Sequence, residues 1–166
     1  MVMANSRVIE IKNISKRFGD LVVLDDVSID VEHSENLIVF GRSGTGKSVL
    51  LKCIIGLLEP DAGKVFIGDK VVSELSLKEL NEIRKNIGFL FQSAALYDSM
   101  SVRENLEFPL RRLFNFTQSE IDKKVMTVLE HVSLVEAVDK MPSELSGGMR
   151  KRIGLARSII HEPDIM

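Results

Sequence analysis

The sequence predicts an α/β fold with an inserted block of helices, and three observations predict it. "ENLIVFG" and "IGFLFQ" are short, continuously apolar runs with the character of strands buried in a parallel sheet. The first of them runs straight into a glycine-rich turn that opens a helical stretch. From Ser101 the texture changes to helical periods, and a second glycine turn then opens a last helix. The expected organisation is one domain in three pieces. Residues 1–96 form an α/β core with an antiparallel β part, 97–145 an inserted helical subdomain, and 146–166 a final helix and the start of another core strand.

The elements follow in order. "RVIEIKNISKRF" alternates apolar and polar residues from Val8 to Ile14, and "VVLDDVSIDVE" does so around Val27, Ile29 and Val31, so both read as half-buried strands. After the apolar run and glycine turn, a helix is expected from about Lys47 to Leu58. "LEPDAG" has the composition of a turn. "KVFIGDKVV" reads as a hairpin or edge strand bent at Gly68-Asp69. "SLKELNEIRKN" reads as a short amphipathic helix, with Ser76 as N-cap and Glu79 three residues on. A buried strand is expected from Ile87 to Phe91. In the helical block "SVRENLEFPLRRL" and "TQSEIDKKVMTVLEHVSL" follow, the second opened by the capping box of Thr117 and Glu120, with Phe108-Pro109 read as a bend. In the last helix Met149, Ile153, Ala156 and Ile160 share one face. Pro163 closes it, and Ile165-Met166 reads as the start of a strand.

Composition bounds the function. A chain of 166 residues, 45% hydrophobic and 28% charged, is long enough for a real core and ordinary for a globular protein. Its net charge of −2 gives no global attraction to nucleic acid or anionic membrane. Arg150, Lys151, Arg152 and Arg157 therefore read as the solvated face of a helix, and Arg111 and Arg112 likewise. A single cysteine, Cys53, excludes an internal disulfide and reads as inert core packing. His33, His131 and His161 read as surface residues. The start has no signal-peptide run, and "VLLKCIIGLL" is about half the length a bilayer span requires.

The first glycine turn carries the chemistry. Gly41-Arg42-Ser43-Gly44-Thr45-Gly46-Lys47-Ser48 fits G-x-x-x-x-G-K-[ST], with an apolar run before and a helix after. Glycines let the backbone curl until several N–H groups face one anion, and the helix N-terminus adds partial positive charge. Lys47 would bridge the β- and γ-phosphates of a nucleoside triphosphate, and the Ser48 hydroxyl would hold Mg²⁺.

The second turn carries a resemblance. "LSGGM", Leu145 to Met149, ahead of a basic helix, resembles the signature motif of ATP-binding cassette (ABC) ATPases, usually written LSGGQ. The likeness covers essentially the whole chain in the same order. The fold class it implies is a P-loop NTPase of the ABC ATPase type. Phe18 in "SKRFGD" lies where the family places an aromatic that stacks on adenine. Gln92 lies where the family has its Q-loop, which touches Mg²⁺ or water and senses the transmembrane partner. Taken by itself Ser146 is also a plausible helix N-cap. The resemblance implies more: Ser146, Gly147 and Gly148 would contact ATP held by a second, identical subunit, in a head-to-tail dimer.

Met149 departs from the family's usual Gln. With "LFQSAALYDSMSVRENLEFPLR" and "MPSELSGGM" it resembles the ATPase subunits of Mla-type phospholipid transporters and their toluene-tolerance relatives. This implies a motor subunit that binds and hydrolyses Mg-ATP, pairs with an integral membrane permease through the Gln92 loop and the inserted helices, and sits on the cytoplasmic face of the membrane. It implies no direct contact with nucleic acid. In the family an apolar strand ending in a magnesium Asp, then a Glu base, follow "EPD". The sequence reaches Met166 ahead of these, so a C-terminally truncated cassette with an incomplete sheet is expected, one that binds ATP and hydrolyses it poorly or not at all. A non-transport or non-hydrolysing nucleotide-binding module is the alternative.

Overall fold

The computed structural model describes residues 7–166. Its contacts divide into two compact units, one reaching to Ile83 and one running from Arg84 to Met166.

The first unit is built on a four-stranded antiparallel sheet in the order β2-β1-β3-β4. Its strands are β1 (Arg7–Phe18), β2 (Leu21–Glu32), β3 (Ala62–Ile67) and β4 (Lys70–Val71). β3 and β4 form the hairpin expected at Gly68-Asp69, with Ile67 facing Lys70. The alternation of β1 is interrupted between Ile11 and Ile14, where the register with β2 shifts. There Asn13 turns to φ 51° opposite Asp26 at φ 49°, joined by a 2.8 Å side-chain hydrogen bond. The bulge brings Ile14 inward beside Ile9 and Ile11, so all three are buried.

Helix α1 (Lys47–Ile54) is shorter than the sequence suggests. Gly56, at φ 67°, ends it: its N–H donates to the Cys53 carbonyl and that of Leu57 to Lys52. This is the glycine-closed C-terminus that satisfies the last carbonyls. Leu50 and Cys53 point into the core with Val65, and burial pushes the Cys53 thiol above its usual pKa. α2 (Leu77–Arg84) begins as expected, Ser76 Oγ and Glu79 exchanging hydrogen bonds.

The run expected as a buried parallel strand does not form one. Residues 35–42 carry no regular structure, and Ile38 and Phe40 are 69% and 88% exposed. A strand exists only through ladder bonds to a neighbour, and none of the four described strands pairs with this segment. The same correction applies to Ile87–Phe91. Only Ile87 pairs, in an isolated parallel bridge with Ile165, while Leu90 and Phe91 are exposed.

The second unit is helical. α3 (Val102–Leu113), α4 (Gln118–His131) and α5 (Gly147–Ile159) surround a core that includes Val102, Leu106, Leu110, Ile121, Val125 and Leu129. α3 continues through Pro109. Capping boxes open α3 at Ser101–Glu104 and α4 at Thr117–Glu120, each holding its glutamate below the usual carboxylate range. α5 buries Ile153, Ala156 and Ile160 as its periodicity predicts, with Met149 half-buried against the same core. His33 and His131 are exposed, but His161 is not a surface residue: both of its ring nitrogens are buried. The Phe114 ring stands 6.1 Å from it, and burial lowers the imidazole's pKa. Among the described residues no helix is long and apolar enough to cross a membrane.

Candidate nucleotide-binding site

In the first unit the glycine turn is shaped from within. Gly44 and Gly46 take φ of 83° and 90°, which L side chains rarely adopt. Gly46 also packs against β2, where a Cβ would stand 2.7 Å from the Val23 carbonyl oxygen. At Gly41 a Cβ would meet Thr45 Oγ1 at 2.7 Å. Thr45 Oγ1 donates to the Arg42 carbonyl at 2.9 Å and closes the turn. Lys47 Nζ folds back over it, donating to the carbonyls of Gly41 (2.7 Å) and Arg42 (2.6 Å). Ser43 and Ser48 are exposed.

α1 starts at Lys47 with no side-chain cap and no acidic residue in its first turn. Its first N–H groups therefore have no side-chain acceptor, and the helix end carries uncompensated positive potential. Uncapped N–H groups, an ammonium and a free hydroxyl in one turn form a donor set that fits a nucleotide's phosphates and their Mg²⁺. Phe18, at the end of β1, is 48% exposed and has the Lys16 ammonium 5.8 Å from its ring centroid. An exposed aromatic face is free to stack.

In the second unit Gln92 is exposed and opens a turn in which Ala94 N–H donates to the Phe91 carbonyl. The signature turn is a capped helix start: Ser146 Oγ accepts from the Met149 N–H at 3.2 Å. Gly147 and Gly148 are exposed. A Cβ on Gly147 would meet nothing within 4 Å, and one on Gly148 only Ser146 Oγ at 4.0 Å. Met149 answers to its own chain, as a flexible apolar side chain lying on the helical core.

One basic residue of α5 departs from the solvated face expected of it. Arg150, Lys151 and Arg152 are exposed, but Arg157 is half-buried, donating to the carbonyls of Ala94 (2.9 Å) and Ala95 (2.8 Å). A signal was present, since Arg157 stands four residues after Ile153 and three before Ile160, beside the buried stripe. Asn105 is fully buried and takes Tyr97 N–H at 2.8 Å, a role no local motif announces. Along α3 a groove of about 460 Å³ is lined by Met100, Glu104, Glu107, Phe108, Arg111 and Arg112. Arg111 there bonds Glu107 at 2.8 Å.

A glycine turn of the pattern G-x-x-x-x-G-K-[ST], ahead of an uncapped helix, marks a chain of mixed α/β fold with the phosphate-loop motif. The ABC transporter family model matches residues 24–166, and the chain belongs to that family. It is 46% identical over 158 residues to the probable ribonucleotide transport ATP-binding protein mkl of Mycobacterium leprae, covering 95% of this chain and 46% of that one. It is 40% identical over 162 residues to the intermembrane phospholipid transport system ATP-binding protein MlaF of Haemophilus influenzae, covering 98% of this chain and 61% of that one. Among solved structures it resembles the ATP-binding cassette MJ0796, a dimer in a post-hydrolysis state bound to ADP and Pi. The TM-score is 0.86 at 30% identity, over 93% of this chain and 70% of that one. The chain spans about half to three-fifths of the length of these two curated relatives.

Proposed function

We propose that the intact protein is the ATP-binding motor subunit of an ABC transporter. It binds Mg-ATP, dimerises head to tail around two nucleotides, and couples hydrolysis to transport through a membrane permease on the cytoplasmic side. Gly41, Arg42, Ser43, Gly44, Thr45 and Gly46 cradle the phosphates. Lys47 leaves its loop carbonyls to bridge the β- and γ-phosphates, and Phe18 stacks on the adenine. Ser48 would hold Mg²⁺ and Gln92 would touch the ion or water, the ion supplying neutralisation of the phosphates' charge. Ser146, Gly147 and Gly148 contact ATP held by the partner subunit. The permease docks in the groove along α3. No direct contact with nucleic acid is part of this reading.

The observation that carries the dimer is the pair Gly147-Gly148. Their own chain leaves open space where a Cβ would stand, so nothing in the monomer demands glycine at both positions. A ligand presented from outside supplies the reason, since bare backbone can approach phosphate oxygens closely. The transported molecule we take to be a phospholipid or another lipid, on the likeness of Gln92–Leu96 and Met141–Met149 to the Mla-type ATPases. Glu162 is given no part in hydrolysis, since it is engaged by Lys124 at 2.7 Å.

The test uses the intact protein with its own permease in phospholipid vesicles. ATP should drive monomer to dimer by light scattering, Lys47→Ala should abolish both nucleotide binding and dimerisation, and lipid should stimulate turnover. Turnover stimulated by ribonucleotide and not by lipid would replace the substrate assignment. ATP binding without any turnover in the intact protein would favour the non-hydrolysing module.

A further inference from the structure

The segment after Gln92 is held in an unusual shape. Ala94 and Ala95 both take left-handed backbone conformations, at φ 62° and 47°. Two consecutive non-glycine residues there persist only where their surroundings over-determine them. Three contacts do so. The Ala94 methyl fits where Gly154 of α5 lacks a Cβ, since a side chain at 154 would come within 2.6 Å of it. Asn105 of α3 accepts from Tyr97 N–H and donates to the carbonyls of Tyr97 (3.1 Å) and Met100 (3.0 Å). Arg157 of α5 binds both alanine carbonyls through Nη2, reaches Asn105 Oδ1 through Nη1 at 3.3 Å, and lies 5.7 Å from the Tyr97 ring centroid.

Arg157 is a cation with no carboxylate partner among the described residues, its partners being neutral carbonyls, an amide and an aromatic face. Burial lowers its pKa, so the site is costly to keep. A guanidinium fork can satisfy these acceptors together, which a lysine ammonium on a flexible stem cannot reproduce. Arg157 also lies nine residues beyond Gly148 on one continuous helix, about 14 Å at the usual rise.

We propose that Arg157 is a positioning residue: it locks the left-handed Ala94-Ala95 turn and ties it to α5, so that Gln92 and the signature turn Ser146–Gly148 are set as one body. This rests on the reading of Gln92 and the signature as ATP-contacting groups. Groove wall and clamp are also in contact, because the Tyr97 ring that Arg157 covers lies 5.0 Å from the Phe108 ring.

The experiment compares intact wild type, Arg157→Lys, and Arg157→Lys carrying Ala95→Gly, which adopts the left-handed backbone without steric cost and keeps the Ala94 methyl against Gly154. Expected for Arg157→Lys are an unchanged ATP dissociation constant, a kcat at saturating ATP lowered about tenfold or more, and amide exchange over 93–100 faster by about tenfold while α4 stays protected. The added glycine should restore a large part of kcat. Unchanged kcat together with unchanged exchange would overturn the proposal. So would a loss of kcat that only parallels lost nucleotide binding or lost folded protein, since that is a merely structural role. Should the wild type show no turnover, the proposed function falls, while the exchange arm still decides the clamp: unchanged protection over 93–100 refutes it, and selective loss supports it.

Discussion

Two glycine turns open helices in this chain, and they answer to different constraints. In the first, Gly46 is demanded by its own fold, through a left-handed backbone and a β2 carbonyl where a Cβ would go. In the second, Gly147 and Gly148 have open space around them, while Ser146 and Met149 serve the helix start and the core. The difference separates a turn whose glycine the surrounding fold requires from one whose glycines the described residues leave unconstrained.

The comparison can be broken most forcefully at Gly46. Gly46→Ala should cost roughly 3 kcal/mol or more in denaturant unfolding, the sum of an unfavourable φ and a clash with backbone. A cost under about 1 kcal/mol would show that the turn is not shaped from within. The second turn should respond with two opposite signs. Ser146→Ala removes the N-cap and should lower stability by about 1 kcal/mol. Gly148→Ala should leave stability unchanged or raise it by a few tenths of a kcal/mol, while ATP-dependent dimerisation of the intact protein is lost. Destabilisation by Gly148→Ala would mean that the monomer needs that glycine after all.

The smallest effect separates the two units by pH. His161 lies in the second unit, and its burial lowers its folded pKa below the unfolded value of about 6.5. Protonation then favours the unfolded chain. The stability present above about pH 6.5 is lost progressively as pH falls through that value and below it. Amide protection factors in α5, corrected for the intrinsic pH dependence of exchange, should fall between pH 7 and pH 5, and His161→Phe should flatten that fall. The cap glutamates Glu79, Glu104 and Glu120, also lowered by their hydrogen bonds, release their contribution only below about pH 4.5. A flat profile in wild type down to pH 5 would remove His161 from the account.

What could be read from sequence was what depends on neighbours three or four residues away. The Ser76–Glu79 and Thr117–Glu120 boxes, the Gly68-Asp69 hairpin and the buried face of α5 are local patterns, and the structure holds each of them. The shape of the turn at Gly41–Ser48 is legible for the same reason: the positive φ of Gly44 and Gly46 and the fold-back of Lys47 all lie within eight residues. The runs at 36–41 and 87–91 were misread because apolar composition states a preference for burial but supplies no ladder partner. Arg157 was misread because polarity outweighed its place on the wheel. Asn105 and the double alanine turn acquire meaning only from residues many positions away.

Leu37–Phe40 has a kinetic consequence. Four successive apolar residues without charge or proline lie in irregular, solvent-facing backbone, with no ladder partner among the described strands. Such a segment is a nucleus for intermolecular β-pairing, so self-assembly of these 166 residues at high concentration should begin there. A lysine in place of Val39 should lengthen the lag before fibrils form, while leaving the phosphate loop's own hydrogen bonds untouched.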